Sequence, residues 1–278
     1  MSAVVRRRLA SELRRLREAA QLTTEDVAAR LECSASKISR IETGRVLAGP
    51  RDVRDMAGLY GVPDELRDSL VQLARESRSR GWWQGYGDTV QPHLATFLGL
   101  EHDASQIRIW NLSRLPSLMW TEDYARAVFS AARTGQVHPD TDRSVALVTE
   151  RQRQAALTPP GLSAVLDEAA LRHHVGGQQV LRGQLEHLIE LSARPQIRIQ
   201  VMPYTSSLQI AMDASFTIMG FPDPADPDVV CIGYPTGLLW IEDTTEVDRY
   251  NDLFRQLQAA ALSDADSAAF MTSLAEDL

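Results

Sequence analysis

The chain has 278 residues, enough for two domains of ordinary size, and its 44% hydrophobic and 24% charged content is that of a globular protein with a real core. It has no apolar run of the roughly 18 residues that a membrane-spanning helix needs, and no continuous apolar signal core near its start, so a cytoplasmic location without a membrane partner is expected. A net charge of −8 argues, taken alone, against a nucleic-acid binder.

The charge is unevenly distributed. Residues 1–80 carry 16 basic and 12 acidic side chains, whereas residues 81–278 carry 13 and 25. A positive head on an acidic body implies that only the head meets a polyanion. The two cysteines, Cys33 and Cys231, stand far apart without metal-ligand spacing, which excludes a disulfide framework and gives no reason to expect a metal or cofactor.

In chain order, a first helix is predicted over Val5–Ala20, with Leu9, Leu13, Leu16 and Ala20 on one face and Arg7, Arg8, Arg14 and Arg15 on the other. Thr23 caps a second helix, with Asp26 completing a capping-box pair and Val27, Ala28 and Leu31 inward. After a very short turn at Glu32-Cys33, Ser34 caps a third helix that buries Ile38 and Ile41 and ends at Gly44. Pro50 opens a fourth helix, closed by Gly61, and Pro63 opens a fifth with Leu66, Leu70 and Leu73 inward.

A domain boundary is predicted near Ser79–Gly81, giving a helical bundle over 1–80 and a second domain over 81–278. The segment after it holds Trp82, Trp83 and Tyr86 among three glycines, and these aromatic side chains are expected to be buried against the domains rather than left on a free tether. Helices are predicted at His93–Ile109, Thr121–Ala132 and Arg143–Leu157, punctuated by Pro139 and Pro159-Pro160-Gly161. Beyond Gly161, short β-branched runs at 164–166, 197–201, 216–219, 229–232 and 238–241 read as strands, and Gly220–Pro227 reads as a hairpin-type loop. Helices at Glu168–His173 and Val180–Ser192 interrupt them, and a final helix is predicted at Val247–Ala261. The expected fold is mainly α in the first domain and α+β in the second, with a mostly antiparallel sheet.

The strongest functional signal lies in residues 22–45. Two helices of about eight residues, joined by a turn too short for antiparallel packing, form a helix-turn-helix, whose second helix is able to enter a DNA major groove. With Ile38 and Ile41 inward, Ser36, Ser39, Arg40 and Thr43 fall on the outer face and Lys37 on its flank. Short polar side chains permit close approach, and long donors reach base edges and phosphates. Thr23, Thr24, Ser34 and Arg45 complete the candidate DNA-binding set.

At these residues the chain resembles the XRE (Cro/CI-like) helix-turn-helix regulators: an Arg-rich first helix, Leu22-Thr23 before the second, and Ser34 through Glu42 in the third. Two positions depart from that pattern. Thr24 stands where the family commonly has a phosphate-holding glutamine, and Glu32 where it commonly has a turn glycine, so a positive φ at Glu32 would carry strain of about 1 kcal/mol or more. The segments GWWQGYGD, GLEHDASQIRIWNLSRLPSLMWTEDYARAV, VLDEAALRHHVGG, IRIQVMPY and FTIMGFPDPADPDVVCIGY resemble the C-terminal domain of actinomycete WhiJ-like and antitoxin-like regulators. That domain is of unknown function, and the resemblance implies a transcription regulator often encoded beside a small partner protein.

Other groupings carry less. His173-His174 are adjacent, and adjacent side chains point apart, which disfavours a shared metal. Glu242-Asp243 and Asp167-Glu168 read as solvated turn carboxylates rather than an acid/base pair, and no nucleophile elbow or phosphate-binding glycine loop occurs, so no enzyme is expected. Trp82, Trp83, Tyr86, Trp110 and Trp120 are candidates for a partner or ligand site, with core packing as the simpler role. The expected protein is a DNA-binding regulator that binds double-stranded DNA as a homodimer. Its C-terminal domain is expected to take a small partner protein or, alternatively, a small-molecule ligand, with an enzyme tethered to a DNA-binding domain as the third reading.

Overall fold

The computed structural model describes residues 3–44, 46–76, 81–131, 140–157, 160–206, 214–224 and 226–278, and the chain divides into two compact units, 1–84 and 85–278. Pro139, Pro159 and most of Ser79–Gly81, read above as punctuation, lie outside the described residues.

The first unit is built from α1 (Ala3–Ala19), α2 (Thr24–Arg30), α3 (Ala35–Glu42), α4 (Pro50–Leu59) and α5 (Asp64–Glu76). Local chemistry sets their starts. The Thr23 hydroxyl accepts from the Asp26 amide at 3.1 Å while the Asp26 carboxylate accepts from the Thr23 amide at 2.9 Å, the reciprocal capping box. Ser34 caps α3 through the Lys37 amide, and Pro50 opens α4 where a missing N–H does no harm. Gly44, at φ 65°, ends α3 in the left-handed conformation that glycine adopts without penalty. The apolar stripes meet in one core of Leu9, Leu13, Val27, Ile38, Ile41, Val53, Met56 and Leu70.

Residues Trp82–Thr89 form 3-10 turns broken at Gly87. Trp83 is buried and packs edge-on against the half-buried Trp82 at 5.7 Å. Gly81 is needed there, since a side-chain carbon on it would lie 2.4 Å from the Trp83 ring.

The second unit carries a six-stranded sheet. Its strands are β1 (Gln106–Asn111), β2 (Gly161–Asp167), β3 (Ile197–Met202), β4 (Phe216–Gly220), β5 (Val229–Tyr234) and β6 (Gly237–Ile241), in the order β3-β2-β1-β4-β5-β6. Helix α6 (Pro92–Asp103) precedes β1. Helices α7 (Glu122–Ala131) and α8 (Thr141–Leu157) connect β1 to β2, and α9 (Glu168–Arg172) and α10 (Gln178–Ser192) connect β2 to β3. The chain closes with α11 (Thr244–Ala260) and α12 (Asp264–Glu276).

The sheet is mixed, which corrects the expectation of a mostly antiparallel one. β1 pairs with β2 and β2 with β3 in parallel, whereas β1–β4, β4–β5 and β5–β6 are antiparallel. Each parallel pair is joined through helices, and only such a crossover returns the chain to the same end of the sheet. The helix predicted at His93–Ile109 ends at Asp103, and Ile107 and Ile109 begin the central strand instead. Helix α12 was not predicted. Its signal was the Ser263 hydroxyl that caps the Asp266 amide, but its alanine-rich body gives little apolar period.

Trp110, Val165, Phe216, Ile218 and Val230 pack one sheet face against Val247, Phe254 and Leu257 of α11. Ile107 and Ile109 point to the opposite face, as strand alternation requires. The outer edge of β3 is closed by the chain that follows α11. The Leu262 amide donates to the Val201 carbonyl at 2.9 Å, the Val201 amide donates to the Ser267 hydroxyl at 3.0 Å, and Arg198 pairs with Asp264 at 2.8 Å.

Burial separates the two thiols. It pushes Cys231 up to about 12, whereas Cys33 is only partly covered in the turn between α2 and α3. Native protein treated with iodoacetamide at pH 9 should be modified at Cys33 and spared at Cys231, and denaturant should expose both. Mass spectrometry of the labelled peptides reads this directly, and rapid native labelling of Cys231 would contradict its placement in the sheet.

Candidate nucleic-acid interface

Helices α2 and α3 are joined by Leu31–Ser34, a turn held by the Leu31 amide on Val27 O and the Cys33 amide on Ala28 O, both at 3.0 Å. Glu32 stands in that turn at φ 50°. A side chain in the left-handed region is strained by about 1–2 kcal/mol.

The two sides of α3 differ sharply. Ile38 and Ile41 are 1% and 2% exposed, while Ser36, Ser39, Arg40 and Thr43 face solvent. The Arg40 guanidinium donates to the Ser36 carbonyl at 3.1 Å, lying along the helix surface, and the Thr43 hydroxyl donates to Ser39 O at 2.8 Å. Ser34 keeps its hydroxyl proton while accepting the cap hydrogen bond, whereas the Thr23 hydroxyl already donates to Asp26 at 2.7 Å. Thr24 is half-buried, and its hydroxyl donates to Glu25 at 2.9 Å. Arg45 lies outside the described residues.

Lys37 is not a free flank cation. Its ammonium lies 2.7 Å from Asp52 on α4, and that hydrogen bond raises Lys37 above the ordinary lysine range. The other Asp52 oxygen accepts from the Gly49 amide at 3.2 Å, so one carboxylate caps α4 and anchors α3. Fifteen residues separate the partners, and no local pattern pairs them.

A second pair missed from sequence lies beneath the interface. Arg17 turns inward from α1, donating from Nε and Nη2 to Glu42 at 2.9 and 3.0 Å and from Nη1 to Leu22 O at 2.7 Å. Glu42 is only 6% exposed, and burial, with Glu42 alongside, pushes the Tyr60 hydroxyl well above its ordinary value. Arg14 and Arg15, on the outer face of α1, pair with Glu18 and Glu12 of the same helix.

In the second unit, a cavity of about 210 Å³ lies over β1, walled by Phe97, Ile109, Arg114, Trp120 and a buried bidentate pair, Arg151 with Glu101. Trp120 donates to Leu115 O at 2.8 Å, and Arg151 also reaches the Ser117 hydroxyl at 2.7 Å. Trp110 packs on the other face of the sheet, so the sheet separates these two aromatic candidates. Tyr86 donates its hydroxyl to Ala146 O at 3.2 Å. His173 and His174 are both exposed, and the described residues hold no cluster of three or more His, Cys, Asp or Glu suited to a metal.

Comparison with known families assigns residues 94–273, nearly two thirds of the chain, to a domain of unknown function, DUF5753. The chain belongs to the DUF5753 family. A helix-turn-helix domain matches residues 8–70, the span of α1 to α5 that holds the α2–turn–α3 geometry described above, and suggests a DNA-binding regulator. No curated protein and no solved structure matches this DUF5753 chain. Among the described residues no helix is long and apolar enough to cross a membrane.

Two stability changes test this geometry. Glu32→Gly should relieve the turn strain, offset in part by glycine's extra chain entropy of about 0.5–1 kcal/mol, for a net gain of up to about 1 kcal/mol. Glu42→Ala should lower stability by about 3–5 kcal/mol, because it strands the Arg17 guanidinium in a covered site. Denaturant melts of the full chain, with hydrogen exchange at α1 and α3 amides, report both. A neutral Glu42→Ala would show that the pair does not hold the bundle.

Proposed function

We propose that the protein is a sequence-specific transcriptional regulator of the XRE type, in the WhiJ-like and antitoxin-like group, which binds double-stranded DNA as a homodimer through residues 1–80 and regulates through residues 81–278. The observation that carries this reading is the two-sided α3: an outer face of Ser36, Ser39, Arg40 and Thr43 opposite a buried Ile38–Ile41 stripe, inside a helix-turn-helix. Such a helix enters the major groove, and Arg40 is the long donor on its outward side. Ser34, Thr23 and Thr24 border the same surface and serve the backbone rather than the bases, a role the sequence also offers for Arg45.

One helix-turn-helix makes few base contacts, and two copies reading half-sites about 34–36 Å apart gain affinity through linkage. The acidic second unit would be repelled by DNA, which favours its use for dimerisation and for binding a small partner protein. The helix-turn-helix suggests a regulator rather than an enzyme. The cavity walled by Trp120 and Arg151 supports a second reading, in which that unit senses a small molecule with an apolar body and a polar group. Isothermal titration with candidate ligands against Trp120→Ala separates the two readings.

Duplexes selected from a random pool supply the operator for the central test. Arg40→Ala should lose about 1–3 kcal/mol of operator affinity and relax preference at one base position. Lys37 exchanges Asp52 for a phosphate, so Lys37→Ala should weaken specific and random duplexes alike and lower the salt slope by about one. Isotherms over a salt series distinguish the two roles. Unchanged affinity and base preference in a folded Arg40→Ala protein would overturn the recognition face.

A further inference from the structure

The two edges of the sheet are treated differently. β3 is closed by the Leu262 amide, the Ser267 hydroxyl and the Arg198–Asp264 pair. β6, at the opposite edge, makes its ladder with β5 alone, and among the described residues its backbone has no other hydrogen-bond partner. An uncovered edge is a template for another strand, and proteins that must stay unpaired blunt it with charge, proline or a bulge. β6 has none of these. Its sequence is Gly237-Leu238-Leu239-Trp240-Ile241, and its register with β5 runs without a break. Leu239 is 52% exposed and Tyr234, at the hairpin, 53%.

We propose that β6 pairs antiparallel with β6 of a second copy about a two-fold axis at Leu239, joining two six-stranded sheets edge to edge. The proposal rests on the dimer reading given above and adds where the dimer forms. Charge limits where two acidic copies can meet. The second unit carries 13 basic and 25 acidic side chains, so two copies repel over most of their surface, yet residues 229–241 hold no charged side chain. Register then selects the arrangement. Centring the two-fold on Leu239 sets Gly237 opposite Ile241 and Leu238 opposite Trp240, apolar against apolar across the strands. The same register places Glu242 opposite Thr236 and Asp243 opposite Pro235, so the carboxylates that follow the strand meet uncharged turn residues instead of each other. Such an isologous contact closes on itself and leaves only the two capped β3 edges outermost, which stops growth into fibres.

The test uses the full chain in sedimentation equilibrium over a micromolar dilution series, alone and with operator duplex. Leu239→Lys sets like charges directly opposite at the two-fold and should raise the dimer dissociation constant about tenfold or more, with the near-ultraviolet circular dichroism of the native fold retained. In a Cys33→Ser background, Leu239→Cys should form a disulfide-linked dimer under mild oxidation, and Ser273→Cys on α12 should not. The cross-link keeps the idea testable if Leu239→Lys disturbs folding. A wild-type dimer unaffected by Leu239→Lys, with no Leu239→Cys cross-link, would overturn the β6 pairing and leave the dimer itself standing. A wild-type chain that stays monomeric both free and on its operator would overturn the dimer reading and the pairing with it.

Discussion

Arg17 leaves the outer face of α1, where Arg14 and Arg15 pair with acids of their own helix, and turns into the bundle to grip Glu42 and the Leu22 carbonyl together. Through that one guanidinium the first helix, the turn entering α2 and the last residue of α3 are fixed to each other. Glu42 is too well covered to satisfy its charge with water, so the bidentate pairing is what permits a carboxylate there. The Ile38–Ile41 stripe sets which face of α3 is outward, and the ion pair fixes the end of this eight-residue helix against α1. Asp52 adds a second tether by holding Lys37 while capping α4. The outer face of α3 is thus braced from behind by the buried Arg17–Glu42 pair, with the more exposed Lys37–Asp52 pair at its flank.

The second unit is organised around β1, the strand at which the sheet changes from parallel to antiparallel. Its alternating side chains serve opposite purposes. Trp110 fills the core under α11, while Ile107 and Ile109 floor a cavity walled by Phe97, Trp120 and the Arg151–Glu101 pair. The chain beyond α11 then closes the β3 edge. Among the described residues the sheet thus has one closed edge, one edge paired on a single side and a cavity over its central strand.

Much of the first unit is legible in the residues themselves. Thr23 with Asp26, Ser34, Pro50 and Gly44 are local signals, each acting within four residues, and the helix ends fall where they point. The strain anticipated at Glu32 is present as a positive φ. Less of the second unit can be read this way. The runs at 164–166, 197–201, 216–219, 229–232 and 238–241 fall in β2 through β6, yet β1 does not separate from α6 in the residues, because neither proline nor glycine stands between Asp103 and Ile109, and Ile107 and Ile109 make too short an apolar alternation to stand out. Helix α12 escaped because its buried stripe, Ser267, Met271, Leu274 and Ala275, holds only two large apolar side chains.

The sequence by itself determined the five-helix order, the caps, the two-sided α3 and the separation of basic head from acidic body, since each depends on residue type and short spacing. Tertiary structure alone decided that the sheet is mixed, that Arg17 faces Glu42, that Lys37 is held by Asp52, and that Trp110 and Trp120 stand on opposite sides of β1. The reason is range. A cap or a helical stripe is settled by neighbours within one or two turns, whereas strand direction depends on crossovers of tens of residues. An ion pair such as Arg17–Glu42 joins positions 25 apart that no local pattern relates.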